Sequence, residues 1–163
     1  MKKIIFMFLL FVLVGCSYMP KKCDDFSFSL IWGVYGISSY DSKTGELVKT
    51  KDATNPSDYV TTYFLSEEEL NLIYNYIKDA NLNKYKDVYN PNWFKGTNPS
   101  STIILSYSYD GYEKTISSID IAIGYDADNP RGDKYLKVIK SIVDILTNTD
   151  EWKALPDYEK YYD

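Results

Sequence analysis

The acidic stretch at residues 126–133 (DADNPRGD) holds the residue types that most resemble a metal-binding loop. Calcium prefers several oxygen ligands that converge from one loop, and the EF-hand pattern needs an oxygen ligand, a glycine and a glutamate at its fifth, sixth and twelfth positions. Here Pro130, Arg131 and Lys137 take those three places. The simpler interpretation is a solvated loop in which Asp133 caps the following helix. We therefore expect no metal and no cofactor.

A pair of adjacent aromatic residues, Trp93 and Phe94, lies in the loop at residues 87–100, which is rich in Asn, Pro and Gly. Exposed aromatic side chains can stack on sugar rings or anchor a protein interface. The same loop can instead fold back and bury them as a small satellite cluster. The pattern predicts a binding site at Trp93 and Phe94, with Tyr89 beside them, and leaves the buried alternative open.

The supply of catalytic groups is thin, because the chain contains no histidine. Ser-His-Asp and Cys-His arrangements are therefore excluded, and no glycine pattern of a nucleotide-binding loop occurs. Two carboxylates could act as acid and base on a glycoside, but the acids at residues 67–69 are most simply the first turn of a helix. The net charge of −5, with Arg131 as the only arginine, argues against binding to nucleic acid.

Apolar periodicity predicts the elements that must position these residues. A period of two predicts strands, and spacing at i, i+3, i+4 and i+7 predicts helices. The predicted strands cover residues 26–40, 46–51, 59–64, 101–109 and 112–123, and the predicted helices cover residues 66–81 and 134–147. The resulting order, βββ-α-ββ-α, indicates an α+β fold with an antiparallel sheet of about five strands and two helices packed on one face.

Several local signals refine this prediction. Ser66 and Glu69 fit a capping box at the start of the first helix, and Asn81 fits its end. Asp110-Gly111 predicts a tight hairpin turn, and a shift of the apolar phase between Ile116 and Ile119 predicts a bulge. Thr149 is expected to cap a short final helical turn that contains Trp152.

The first sixteen residues predict where the protein is located. Two lysines precede an unbroken apolar run at residues 4–14, which is too short to span a bilayer comfortably and suits a secretory signal. The run leads into Leu13-Val14-Gly15-Cys16, which resembles the lipobox of bacterial lipoproteins. The resemblance implies that Cys16 receives a diacylglyceryl group and that the chain is cut before it. An ordinary secretory signal and an uncleaved anchor are the alternatives.

This resemblance divides the chain into a signal peptide at residues 1–15, a lipidated tether at residues 16–25 and one domain at residues 26–163. Residues 1–15 hold two lysines and no acid, so the mature chain has 16 basic against 23 acidic residues, a net charge of −7. If Cys16 is lipidated, Cys23 has no intrachain partner for a disulfide. Cys23 then either pairs between chains or remains an idle thiol.

The body of the chain, through residues 134–147 and the ending Ala154-Leu155-Pro156-Asp157-Tyr158-Glu159, resembles lipoproteins of low-GC Gram-positive bacteria that have no assigned activity. The leading hypothesis is a non-enzymatic binding module on the cell membrane. It is lipid-anchored, faces outside the cytoplasm and binds an unidentified protein or cell-wall glycan. Two alternatives remain: an envelope enzyme that acts on glycan through carboxylates, and an inhibitor of a basic envelope-attacking enzyme such as lysozyme, which the negative charge would favour.

Overall fold

The fold is an antiparallel sheet with helices packed on one face. The computed structural model describes residues 25–92, 98–122 and 127–157. Within them, six strands form one sheet in the order β4-β3-β2-β1-β5-β6. The strands are β1 (Ser27–Trp32), β2 (Ser38–Asp41), β3 (Glu46–Val48), β4 (Val60–Thr62), β5 (Ser101–Tyr109) and β6 (Tyr112–Ile121), and the helices are α1 (Glu67–Asp79), α2 (Pro130–Thr147) and α3 (Asp150–Ala154). The predicted α+β class is confirmed.

The core lies between the sheet and the helices. On the central strand β1, Phe28, Leu30 and Trp32 are buried, and the residues between them are only partly buried. Leu30 is paired with Tyr40 of β2 on one side and Leu105 of β5 on the other. Hydroxyl side chains such as Ser29, Ser106 and Thr115 occupy the opposite face of the sheet. The alternation therefore selects the face on which the helices pack.

The prediction of one long strand at residues 26–40 was wrong. The chain leaves the sheet after Trp32 and returns as β2, which pairs antiparallel with β1. Gly33, Tyr35 and Gly36 all have positive φ angles, of 89°, 52° and 67°. Glycine adopts such angles without a steric penalty, so this segment turns although its apolar alternation continues. The extra reversal gives six strands where about five were expected.

Helix α1 begins and ends where its sequence signals predict. The Ser66 hydroxyl accepts a hydrogen bond from the Glu69 backbone N–H at 3.2 Å, and the Glu69 carboxylate accepts one from the Ser66 N–H at 2.8 Å. This reciprocal pair is the predicted capping box. Asn81, with φ 54°, follows the helix in the left-handed conformation. The buried face includes Ile73, Tyr74 and Ile77.

Helix α2 begins four residues earlier than predicted, and Asp133 does not cap it. Asn129 is the cap, and its side chain accepts hydrogen bonds from the N–H groups of Arg131 and Gly132. Pro130 occupies the first turn, where its missing N–H costs nothing. Asp133 lies inside the first turn. Half of the predicted loop at residues 126–133 is therefore helix.

The remaining local predictions are largely confirmed. Asp110 and Gly111 form the hairpin turn, both with positive φ. The bulge lies at Ile119 and Asp120, just beyond its predicted place, where β6 has one more residue than β5. Thr149 caps α3 through the Trp152 N–H. No helix in the described ranges is both long enough and apolar enough to cross a bilayer.

Candidate functional site

Helices α1 and α2 leave a groove between them at one end of the helical layer. Glu69, in the first turn of α1, lines it together with Asp144, in the last turn of α2. The N-terminal end of one helix therefore lies beside the C-terminal end of the other, as in an antiparallel pair. Helix α3 contributes Asp150 and Glu151 to the same groove. We call this feature the acidic groove.

The acidic groove has a volume of about 680 Å³, which is in the range of ligand pockets. Four carboxylates line it, from Glu69, Asp144, Asp150 and Glu151, together with the phenol rings of Tyr63 and Tyr76. No lysine or arginine of the described residues lines it. The groove therefore combines a negative potential with two aromatic surfaces, a combination that suits a cationic or amphipathic ligand.

Tyr63 and Glu69 are fixed to one another at the wall of the groove. The Tyr63 hydroxyl donates to the Glu69 carboxylate, 3.1 Å from each oxygen. Burial raises the pKa of Tyr63, and the hydrogen bond to Glu69 and the negative charges of Glu69 and Glu151 raise it further. The phenol therefore stays protonated near neutral pH and continues to donate to Glu69.

The α2 and α3 side of the groove is also ordered by hydrogen bonds. Lys140 pairs with Asp144 at 2.5 Å, both about half exposed. The Lys153 ammonium donates to the Asn148 carbonyl at 2.6 Å, and the Thr149 hydroxyl accepts from the Trp152 N–H at 3.2 Å. The last two bonds fix the turn at residues 148–149, which joins α2 to α3 and so connects Asp144 with Asp150.

The same corner is held to the sheet by α3. The Trp152 ring stacks on Trp32 of β1, with ring centroids 5.8 Å apart. The Lys49 ammonium lies 5.7 Å from the Trp152 ring centre and donates to the Leu155 carbonyl at 3.1 Å. Packing on the sheet therefore limits the movement of Asp150 and Glu151 relative to α1.

Of the predicted aromatic site, only Tyr89 lies in the described residues; Trp93 and Phe94 do not. The Tyr89 ring packs edge-on against Tyr85 and Tyr135, at 4.9 and 5.5 Å. Its hydroxyl is buried and has no hydrogen-bond partner among the described residues, and burial raises its pKa. Tyr89 thus has a clear packing role in what we call the tyrosine cluster (Tyr85, Tyr89 and Tyr135), and ligand contact at all three predicted positions stays a prediction.

Two further sequence predictions concern residues that the structure describes only in part or not at all. Cys16 and Cys23 lie outside the described ranges, as does Asp126 of the acidic stretch. Within the described residues, no group of three or more Cys, Asp or Glu side chains is placed to hold a metal ion.

The acidic groove was missed by the sequence analysis. Its walls come from a strand end and three helices, and Tyr63 and Asp144 are 81 positions apart in the chain. Each groove residue has an ordinary local explanation, so no motif marks the set.

Comparisons with protein families, with curated proteins and with solved structures find no match to this chain.

Proposed function

We propose that this chain is a lipid-anchored, non-enzymatic binding module at the outer face of the membrane, and that it holds a cationic segment of a protein partner in the acidic groove. The observation that carries the proposal is the lining of this groove, which has four carboxylates and two phenol rings but no basic side chain among the described residues. A lysine or arginine side chain would gain Coulomb attraction from the acids and ring contact from the tyrosines.

The position of Asp144 supports ligand binding beyond what helix stability requires. Negative charge near a helix C-terminus opposes the helix dipole, and Asp144 is in the last turn of α2. Lys140 compensates only in part, because exposed i, i+4 pairs contribute about 0.3–0.5 kcal/mol. A cationic ligand would supply the remaining compensation.

Binding fits this groove better than glycan hydrolysis does. The Glu69 carboxylate already accepts bonds from the Tyr63 hydroxyl, the Ser66 N–H and the Ser66 hydroxyl. A carboxylate held in this way serves the helix cap, and proton transfer to a substrate would have to compete with these bonds. Release of soluble glycan from purified cell wall, lost when Asp144 or Asp150 is neutralised, would favour the enzymatic alternative.

The binding proposal can be tested with lysozyme, a basic enzyme that attacks envelopes, and with an oligolysine peptide. The groove variant combines Asp144→Asn, Asp150→Asn and Glu151→Gln. The control variant combines Glu46→Gln, Asp58→Asn and Glu113→Gln, which are exposed acids outside the groove. Both variants change the net charge by the same amount, so long-range attraction weakens equally.

Titration calorimetry should show binding to oligolysine that weakens by more than about tenfold in the groove variant and by less than about twofold in the control. Equal losses in the two variants would reduce the effect to net charge and contradict the groove. If lysozyme binds to the chain and loses activity, the partner class is basic enzymes that attack envelopes. If lysozyme neither binds nor loses activity, the inhibitor hypothesis is wrong.

The lipid anchor is tested separately. Two acyl chains give stable attachment where one gives only marginal attachment. We expect the wild-type chain to incorporate labelled lipid and sediment with membranes, and Cys16→Ala to lose both properties. A Cys16→Ala chain that remained labelled would show that the lipobox resemblance is misleading.

A further inference from the structure

At the other end of the helical layer, a second crevice opens between the end of α1 and the start of α2. It has a volume of about 390 Å³ and is lined by Ala80, Asn81, Lys84, Tyr85, Pro130, Arg131 and Lys134. Three of these seven residues are cationic and none is acidic. We call it the basic cleft. It is unexpected in a chain with a net charge of −5.

Arg131 is held in a defined position at the wall of the basic cleft. Its guanidinium lies 4.3 Å from the centre of the Tyr85 ring and donates to the Lys84 carbonyl. The Tyr85 hydroxyl in turn donates to the Arg131 carbonyl at 2.8 Å. A guanidinium has five N–H donors, so these contacts orient the group and leave donors for a ligand. Such fixed geometry suits bidentate binding of an oxyanion.

The lysines of the basic cleft are not held by ion pairs. Neither the Lys84 nor the Lys134 ammonium is ion-paired with another of the described residues. Arg131 lies in the first turn of α2 and Lys134 directly after it, where positive charge opposes the helix dipole. Three like charges around one cleft also repel one another. This arrangement costs stability, and a bound anion would offset the cost.

The geometry points to the basic cleft as a binding site for a phosphate group, with Arg131 as the oriented donor and Lys84 and Lys134 as the charges that close around it. Phosphate fits because it offers several acceptor oxygens and more than one negative charge, which matches three cations better than a single carboxylate does. The phosphate can belong to an anionic lipid headgroup or to a soluble phosphate ester. The inference does not depend on the acidic groove or on lipidation.

The experiment uses the full chain and two probes. The cleft variant is Lys84→Gln with Lys134→Gln, and the control is Lys86→Gln with Lys137→Gln, which removes two exposed lysines that do not line the cleft. Arg131 is kept, because its contact with Tyr85 also serves packing. The first probe is inorganic pyrophosphate, measured by calorimetry at low ionic strength. The second is the increase in vesicle binding when phosphatidylglycerol is added to phosphatidylcholine vesicles.

We expect the cleft variant to lose more than about tenfold in affinity for at least one probe, and the control to lose less than about twofold. Loss confined to pyrophosphate identifies a soluble ester as the source of the phosphate, and loss confined to the phosphatidylglycerol increment identifies a lipid headgroup. Binding of neither probe by the wild-type chain, or equal losses in the two variants, would overturn the inference.

Discussion

Helices α1 and α2 lie side by side on the same sheet but place their charges in opposite ways. Helix α1 has Glu67, Glu68 and Glu69 in its first turn and Lys78 in its last, which complements the helix dipole. Helix α2 has Arg131 in its first turn, offset only by Asp133, and Asp144 in a last turn without a basic residue. The charges of α1 are explained by helix stability, and those of α2 are not.

This difference separates charges that serve the fold from charges that are available for ligands. Both crevices of the helical layer take residues from α2, Asp144 in the acidic groove and Arg131 with Lys134 in the basic cleft. Rules of local consistency are broken most often at functional sites. Glu69 also lines the acidic groove, but its role in the capping box of α1 already explains why a negative charge lies at that position. The reversed charges of α2 are therefore the better guides to binding.

Helix α2 remains stable despite these unfavourable charges because its apolar face is buried against the rest of the core. Tyr135, Leu136, Ile139, Ile142 and Leu146 are each at most 1% exposed. Tyr135 packs in the tyrosine cluster, and its hydroxyl is 3.2 Å from that of Ser118, which donates to it. Burial raises the pKa of Tyr135, with the Ser118 hydrogen bond acting in the opposite direction. Ionisation of this buried phenol at high pH is therefore expected to destabilise the packing of α2.

The largest expected effect is therefore loss of stability at high pH. Burial also raises the pKa of Tyr40, to about 12, from an ordinary value of 10.0. Above pH 10 the unfolded chain loses phenolic protons that the folded chain keeps, so the free energy of unfolding falls as the pH rises towards 12. Each such tyrosine contributes a slope of up to about 1.4 kcal/mol per pH unit. Urea denaturation at a series of pH values measures this fall in the free energy of unfolding.

Tyr135→Phe should make the decline in the free energy of unfolding shallower, because it removes the buried phenol hydroxyl that α2 contributes to the core. Tyr112→Phe removes a phenol that is 38% exposed and serves as the control. A decline that is identical in wild type and Tyr135→Phe would show that the Tyr135 phenol does not contribute to the loss of stability at high pH.

The next effect in size concerns the helix caps. Ser66→Ala removes the acceptor for the Glu69 N–H at the start of α1, and Asn129→Ala removes the acceptor for the Arg131 and Gly132 N–H groups at the start of α2. Each should lower the free energy of unfolding by about 1 kcal/mol. Asn129→Ala should cost at least as much as Ser66→Ala, because no cluster of acids supports the first turn of α2. Chemical denaturation of both variants gives the comparison, and a clearly larger loss in Ser66→Ala would contradict it.

The contrast between the helices also shows what the sequence could predict. The capping box of α1 lies within four residues and its apolar face repeats every three or four residues, so both were predicted correctly. Asn129-Pro130 is an equally local start signal for α2, but the acidic and polar composition of residues 126–133 favours a loop, so the predicted helix begins only at residue 134. The turn after Trp32 was missed because alternation continued through Val34, and only the two glycines indicated the reversal.

The binding surfaces could not be predicted in the same way. Tyr63, Glu69, Asp144 and Asp150 meet only after the helices pack on the sheet, and Lys84 meets Arg131 across 47 positions. What the sequence did contain was the sign of each charge relative to its helix end. The sign of a charge relative to the helix end can be used only when the helix boundaries are correct, and the predicted start of α2 is four residues later than the observed one. With α2 beginning at Pro130, Arg131 becomes a first-turn cation and the conflict with the dipole is visible.

The smallest expected effect tests this conflict directly, through the sign of two matched changes. Glu68→Gln removes a charge that complements the dipole of α1 and should lower the free energy of unfolding by about 0.3–0.5 kcal/mol. Lys134→Gln removes a charge that opposes the dipole of α2 and repels Arg131, and it should raise the free energy of unfolding by a similar amount. Both residues are exposed, so lost packing contributes little to either value. Because salt screens exposed charges, both differences should shrink when urea denaturation is repeated at high ionic strength. If Lys134→Gln is destabilising at low salt, Lys134 serves the fold as Glu68 does, and the distinction between the charges of α1 and α2 fails.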